Sequence, residues 1–203
     1  MKNQISNLAA LLMILFLIGC TAIHVPSTDD PNKKIKDALD LVLKQERPIP
    51  AEKLLHEAIE IFQKNGDSKG LAAAYRAYGV FFQSKAVNDM KEAYEGNGFL
   101  DKSVNFSDRY TKALEYFDKA ESISEKAQDY NLLSNIAYNK AVNYQTTGDS
   151  ANACQSHKAS LEWNRKAHEK NPSMKFYIPG MGHVTFEKYR DFYIKYMKEL
   201  GCD

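Results

Sequence analysis

The chain lacks an excess of charge of either sign. Its 203 residues carry 27 Lys and Arg against 26 Asp and Glu. That balance removes the electrostatic case for nucleic acid, and no polybasic run argues for a charged contact with a membrane surface. A long hydrophobic run is missing as well. The most apolar stretch, Leu8 to Ile18, has 11 residues, whereas crossing a bilayer takes roughly 20. The alternation of apolar and polar residues that marks strands is nearly absent from Asn32 onward. Sequence signals of catalysis are missing too: there is no His-Glu-x-x-His, no Gly-x-Ser-x-Gly and no phosphate-cradling glycine loop. The histidines are His24, His56, His157, His168 and His183. Cys154 and His157 lie one helical turn apart, yet two ligands without a second pair do not make a zinc site. His183, in a glycine-rich loop, has no evident nucleophile or carboxylate partner. These gaps predict a non-enzyme with no catalytic residues, no metal and no cofactor.

Cysteine is scarce, and its placement is informative. Cys20 follows Lys2, the apolar run and Gly19, the order of a secretory signal with small residues at its cleavage point. The ending Leu17-Ile18-Gly19-Cys20 resembles the lipobox of bacterial lipoproteins. That resemblance implies that residues 1–19 are a signal peptide, removed before Cys20. It further implies that the Cys20 sulfur receives a diacylglyceryl group and that the new amino end is acylated. Several acyl chains, at roughly 0.8 kcal/mol per buried methylene, make such attachment effectively permanent. Thr21 stands where Asp would resemble an inner-membrane retention signal, so the resemblance favours an outer-membrane anchor facing the periplasm. Removing residues 1–19 takes away one charge, Lys2, and leaves the remaining chain without net charge.

Cys154 and Cys202 remain. In an oxidising compartment they are a possible disulfide; the alternative is a buried Cys154 and a free Cys202. Residues 20–31, containing Pro26, Ser27, Thr28, Asp29, Asp30 and Pro31, read as the lipidated Cys and a flexible tether.

From residue 32 the apolar spacing is helical and repeats. Ala51, Leu55, Ala58 and Ile59 share one face of a helix opened by Pro50. Ala113, Phe117, Ala120 and Glu121 keep that spacing, as do Ala153, His157, Ser160 and Leu161. Tyr75, Tyr78, Gly79 and Phe82 precede the second set, and Ala137, Ala141, Tyr144, Gly148 and Asp149 precede the third. Ile35, Ala38, Leu39 and Val42 precede the first. This register resembles the tetratricopeptide repeat (TPR), a helix–turn–helix unit with small residues at helix contacts and aromatics between units. The expected fold is therefore all-α: a TPR-like helical hairpin array of about three units over residues 32–170. An insertion of about residues 84–105 lies inside the second unit, where Gly96-Asn97-Gly98 signals a turn. It reads either as a lengthened hairpin with a loop or as a partner-specific protrusion. Residues 171–203 form a breaker-rich loop, Tyr177-Ile178-Pro179-Gly180-Met181-Gly182-His183, and then a capping helix from about Thr185 to Leu200. Its stripe of Phe186, Tyr189, Tyr193, Tyr196 and Leu200 suits a terminal cap.

The resemblance also implies a concave groove lined by the first helix of each unit. Carried over position by position, its partner-binding residues are Lys36 and Asp40, then Arg76, Val80 and Gln83, then Asn135, Tyr138, Val142 and Gln145. This mixture of amides, a tyrosine and a few charges suits an extended segment. It lacks the concentrated Lys and Asn set of carboxylate clamps. The expectation is a membrane-anchored, periplasm-facing scaffold that binds a protein or peptide in envelope, secretion or pilus assembly. The alternatives are an immunity or inhibitor lipoprotein against a toxic effector, and an unrecognised hydrolase.

Overall fold

A computed structural model describes residues 27–202. Cys20, the expected signal peptide and the tether up to residue 26 lie outside the described residues. Residues 27–30 carry no helix or strand. Helix α1 spans Pro31–Leu43, with Pro31 at its first position and the Asp30 carboxylate accepting the Asn32 N–H at 2.9 Å. Helix α2 spans Pro48–Asn65, so Pro48 rather than Pro50 opens it, and it stops at Gly66, whose φ of 69° no side chain adopts easily. Helix α3 spans Ser68–Gln83 and is capped by Asp67, which accepts the Gly70 N–H at 2.9 Å. Two short helices, α4 (Lys85–Asp89) and α5 (Lys91–Asn97), and a 3-10 turn at Phe106–Asp108 follow. Helices α6 (Arg109–Lys126), α7 (Tyr130–Thr147) and α8 (Ser150–Lys170) complete the array. Asp129 and Asp149 cap α7 and α8 by accepting the N–H groups of Leu132 and Asn152, both at 3.1 Å. Short polar side chains at these positions satisfy donors that the first turn leaves unpaired.

The helices pair as α1 with α2, α3 with α6, and α7 with α8. These are three antiparallel hairpins in register with the sequence repeat. Helices α1, α3 and α7 also neighbour one another in succession, while α2 and α6 each touch the first helix of the next unit. Close approach depends on small residues. Ala51, Ala58, Ala74, Ala77, Ala113, Ala120, Ala141 and Ala153 are all buried. A Cβ on Gly79 would lie 2.4 Å from the ring of the fully buried Phe117, so only glycine lets α6 pack this tightly on α3.

The insertion is not a protrusion. Ala86, Val87, Tyr94, Phe99, Val104 and Phe106 belong to the same core as Leu55, Phe81, Phe82 and Phe117. Buried Glu52 on α2 fastens it from below: one carboxylate oxygen accepts the Leu100 N–H at 2.7 Å and the Tyr78 hydroxyl at 3.0 Å. Burial pushes the Glu52 carboxyl above its usual range despite those two donors.

The breaker-rich segment is not an irregular loop. It forms an antiparallel hairpin of β1 (Phe176–Ile178) and β2 (Gly182–Val184). Three-residue strands are too short to show the alternation on which the sequence reading relied. Helix α9 (Phe186–Glu199) then packs on α8 and β1. Met197 joins Phe186 and Tyr193 among its buried residues, while Leu200 is 38% exposed and lies past the helix end. A disulfide joins Cys154 on α8 to Cys202 beyond α9. Among the described residues no helix is long and apolar enough to cross a membrane.

Candidate functional site

Helix α7, the hairpin and α9 enclose a cleft of about 580 Å³ at the C-terminal end of the array. Helix α7 supplies Asn131, Ser134, Asn135 and Tyr138, and α8 supplies Ser160 and Asn164. Phe176, Tyr177 and Pro179 come from the hairpin, and Tyr189, Phe192, Tyr193 and Tyr196 from α9. Lys175 is the sole charged residue in the lining, which contains no Asp or Glu.

Hydrogen bonds hold this wall in place. Asn164 donates to the Tyr189 hydroxyl at 3.1 Å. The Tyr193 hydroxyl and His157 Nδ1 are bonded at 2.8 Å. Ser160 donates to the Ser134 carbonyl at 3.0 Å. The rings themselves stack: Phe176 on Tyr189 at 5.0 Å and Tyr189 on Tyr193 at 5.5 Å between centroids. Burial pushes Tyr189 up to about 12 and raises Tyr193 and Tyr138 as well. All three therefore stay neutral phenols at physiological pH and keep a proton to donate. Apart from Lys175, this surface of phenols, amides and hydroxyls carries no charge and offers hydrogen-bond donors and acceptors. It is suited to holding a ligand.

Beneath it sits His157, fully buried, with ring contacts to Tyr138, Tyr193 and Tyr196. Its Nε2 has no hydrogen-bond partner among the described residues. Burial lowers its pKa below the ordinary 6.5. As pH falls through that value the unfolded chain takes up a proton that the folded chain resists, so folding stability is lost on the acid side. Thermal melts from pH 7.5 to 5.5 should show a falling midpoint, and His157→Phe should flatten that slope whatever it does to the midpoint at pH 7.5. An unchanged slope would remove His157 from the account.

The predicted groove residues separate in three dimensions. Asn135 and exposed Tyr138 line the cleft. Lys36 is exposed and Asp40 half-exposed on α1, with Asp40 engaged by Lys44 and Gln45. Val80 is a correction: at 8% exposure it packs in the core and offers almost no surface to a partner. Val142 and Gln145 are half-buried on α7 outside the cleft lining, and Gln83 buries its carbonyl oxygen without a partner among the described residues. Arg76 is half-buried, and burial lowers its pKa. No carboxylate pairs with it among the described residues.

The sequence pattern assigned no site role to Ser134, Asn164 or Phe176, placed Tyr177 only in a loop, and gave Tyr189, Tyr193 and Tyr196 to capping alone. The aromatic density after residue 175 was the available signal. A second hollow, of about 680 Å³, lies between the start of α2 and the insertion, lined by Ile49, Pro50, Tyr94, Phe99 and Leu100. It contains no predicted groove residue. Among the described residues no three His, Cys, Asp or Glu side chains gather as metal ligands would. No protein-family model, no curated protein and no solved structure matches this chain.

Proposed function

We propose that this protein is a lipid-anchored adaptor of the bacterial cell envelope, facing the periplasm and binding another protein through its hairpin array. The observation that carries the reading is the cleft: an aromatic, amide-lined site, with Lys175 its one charge, where two residues chosen for groove position, Asn135 and Tyr138, meet the aromatic face of α9. The lipobox-like Leu17-Ile18-Gly19-Cys20 supports the anchor. The repeat register, similar to tetratricopeptide units, supports a protein as the ligand. Half-buried Arg76 offers a cation for a partner carboxylate on the same inner row of helices.

Two measurements test this. Labelled palmitate should appear on the full chain in cells and vanish with Cys20→Ala. Crosslinking in the native envelope should capture a protein whose yield falls about tenfold with Tyr138→Ala, the scale for an aromatic anchor. Arg76→Glu should weaken capture as well, most at low salt. Capture that is indifferent to both substitutions would place the binding surface elsewhere.

A further inference from the structure

The hairpin has two strands, so each has an edge that no third strand covers among the described residues. Which backbone groups lie on the outer edge of β1 follows from its turn. Pairing sets Ile178 opposite Gly182 and Tyr177 opposite His183. Along an antiparallel ladder, pairs that exchange backbone hydrogen bonds alternate with pairs that exchange none. If Ile178 and Gly182 were the second kind, the Met181 N–H would have to reach the Pro179 C=O, but it donates to the Ile178 C=O at 3.0 Å. Ile178 and Gly182 are therefore the hydrogen-bonded pair. Tyr177 falls on the other kind, and its N–H and C=O point away from β2.

The cleft runs along that edge. It is lined by Lys175, Phe176, Tyr177 and Pro179 and by no residue of β2. Successive strand residues project to opposite faces: Phe176 is buried and Tyr177 is 61% exposed. A cavity touching both, and touching only β1, lies beside the strand rather than over one face of it. The outer Tyr177 N–H and C=O thus open into a site walled on its far side by α7 and α9.

We propose that the cleft binds an extended segment of a partner polypeptide as a third strand on β1. Its backbone bonds to the N–H and C=O of Tyr177, and its uncharged side chains on one face lie against Tyr138, Tyr189 and Tyr196. This proposal rests on the reading of the array as a protein-binding scaffold and narrows it. A strand supplies one donor and one acceptor at the spacing that an unpaired edge requires, which is how edge addition gains affinity. The segment is uncharged where it meets the rings: no carboxylate lines the cleft to pair a cation, the one charge, Lys175, lies on the β1 side, and a charge buried unpaired is costly. A glycan would use the same rings but would be indifferent to the Tyr177 N–H.

The test uses the full, oxidised chain in detergent micelles, panned against displayed random linear dodecapeptides. The strongest binder is synthesised and its affinity measured by fluorescence anisotropy. Tyr177→Pro removes the outer N–H and leaves the β1–β2 ladder intact, since that N–H takes no part in it and proline is tolerated on edges. Tyr177→Ala keeps the N–H and serves as the control. Binding should weaken about tenfold or more with Tyr177→Pro and only slightly with Tyr177→Ala, the scale of a lost hydrogen bond. N-methylation along the peptide should weaken binding chiefly at the one residue whose N–H meets the Tyr177 C=O. Should Tyr177→Pro unfold by circular dichroism, the N-methyl series decides alone.

Peptides that tolerate Tyr177→Pro and N-methylation yet need Tyr138 would overturn strand pairing and leave the scaffold reading standing. Failure to enrich any peptide, or binding of chitohexaose in their place, would overturn both. Concentration-dependent dimers abolished by Tyr177→Pro, with no peptide bound, would assign the edge to a second copy of this chain and also overturn the proposal.

Discussion

Phe99→Ala should lower the free energy of unfolding by about 3–5 kcal/mol, the range for removing a buried aromatic ring. Phe99 lies in the insertion, 1% exposed, with its ring stacked on Tyr94 at 4.3 Å and edge-on to Phe82 at 5.1 Å. Phe81 and Phe106 complete its surroundings, at 6.2 and 6.5 Å. Truncation leaves a void bordered by helix α3, which is itself held by α6, so collapse around it is restricted. The neighbouring Leu100 N–H, bonded to Glu52, resists movement of the loop into the gap. Urea titration followed by circular dichroism measures the effect through the midpoint at constant slope. A protruding insertion would give a change below about 0.5 kcal/mol, the usual size for surface substitutions. Leu100→Ala, at 45% exposure, is the internal contrast and should change far less.

Replacing both Cys154 and Cys202 with Ser should cost about 4 kcal/mol, from the chain entropy released when a loop of 48 residues is no longer closed. The loss should be local before it is global. Among the described residues helix α9 packs mainly on α8 and β1, and at its C-terminal end its core is the small cluster of Tyr193, Met197 and Cys202 with Cys154, Leu161, Tyr189 and Tyr196 around it. The first two hairpins share the larger core and do not depend on the bridge. Hydrogen exchange should therefore show α9 opening at a lower free energy than α3 or α6 in the double variant. Peptide binding in the cleft should fall with it, because Tyr189, Phe192, Tyr193 and Tyr196 all ride on α9. Dithiothreitol on the native protein should reproduce both effects. If α9 stays as protected as α3 after the bridge is removed, packing alone holds the cap and the disulfide adds nothing measurable.

The hairpin array was legible because its signals are local and periodic. Ala113, Phe117 and Ala120 recur on one helical face, as do Ala51, Leu55 and Ala58, and all of them are buried where the pattern put them. Gly79 was legible as a close contact for the same reason: a missing side chain on an otherwise bulky face says that something approaches there. Val80 failed the groove assignment because position within a repeat ignores the insertion. Tyr94, Phe99 and Phe106 fold over this unit and enlarge the core that Val80 joins.

The cleft was only half legible. Asn135 and Tyr138 could be chosen from register, since α7 presents its exposed face on a fixed period. Their counterparts on β1 and α9 could not. Nothing in residues 176–196 states how far the chain turns back after Pro172, and the strands are too short to carry a period of two. The aromatic stripe of α9 reads as a cap when considered alone, and it does cap α8 through Tyr193 and Met197.

By itself the sequence determined the helices, their pairing and the small residues at their contacts, because each depends on neighbours within a few turns or one repeat. Tertiary structure alone decided that the insertion is core, that Cys154 meets Cys202, and that the open edge of β1 faces the tyrosines of α9. Those contacts join segments that share no period, and their geometry is set by long-range packing of side chains whose order along the chain does not encode their distance.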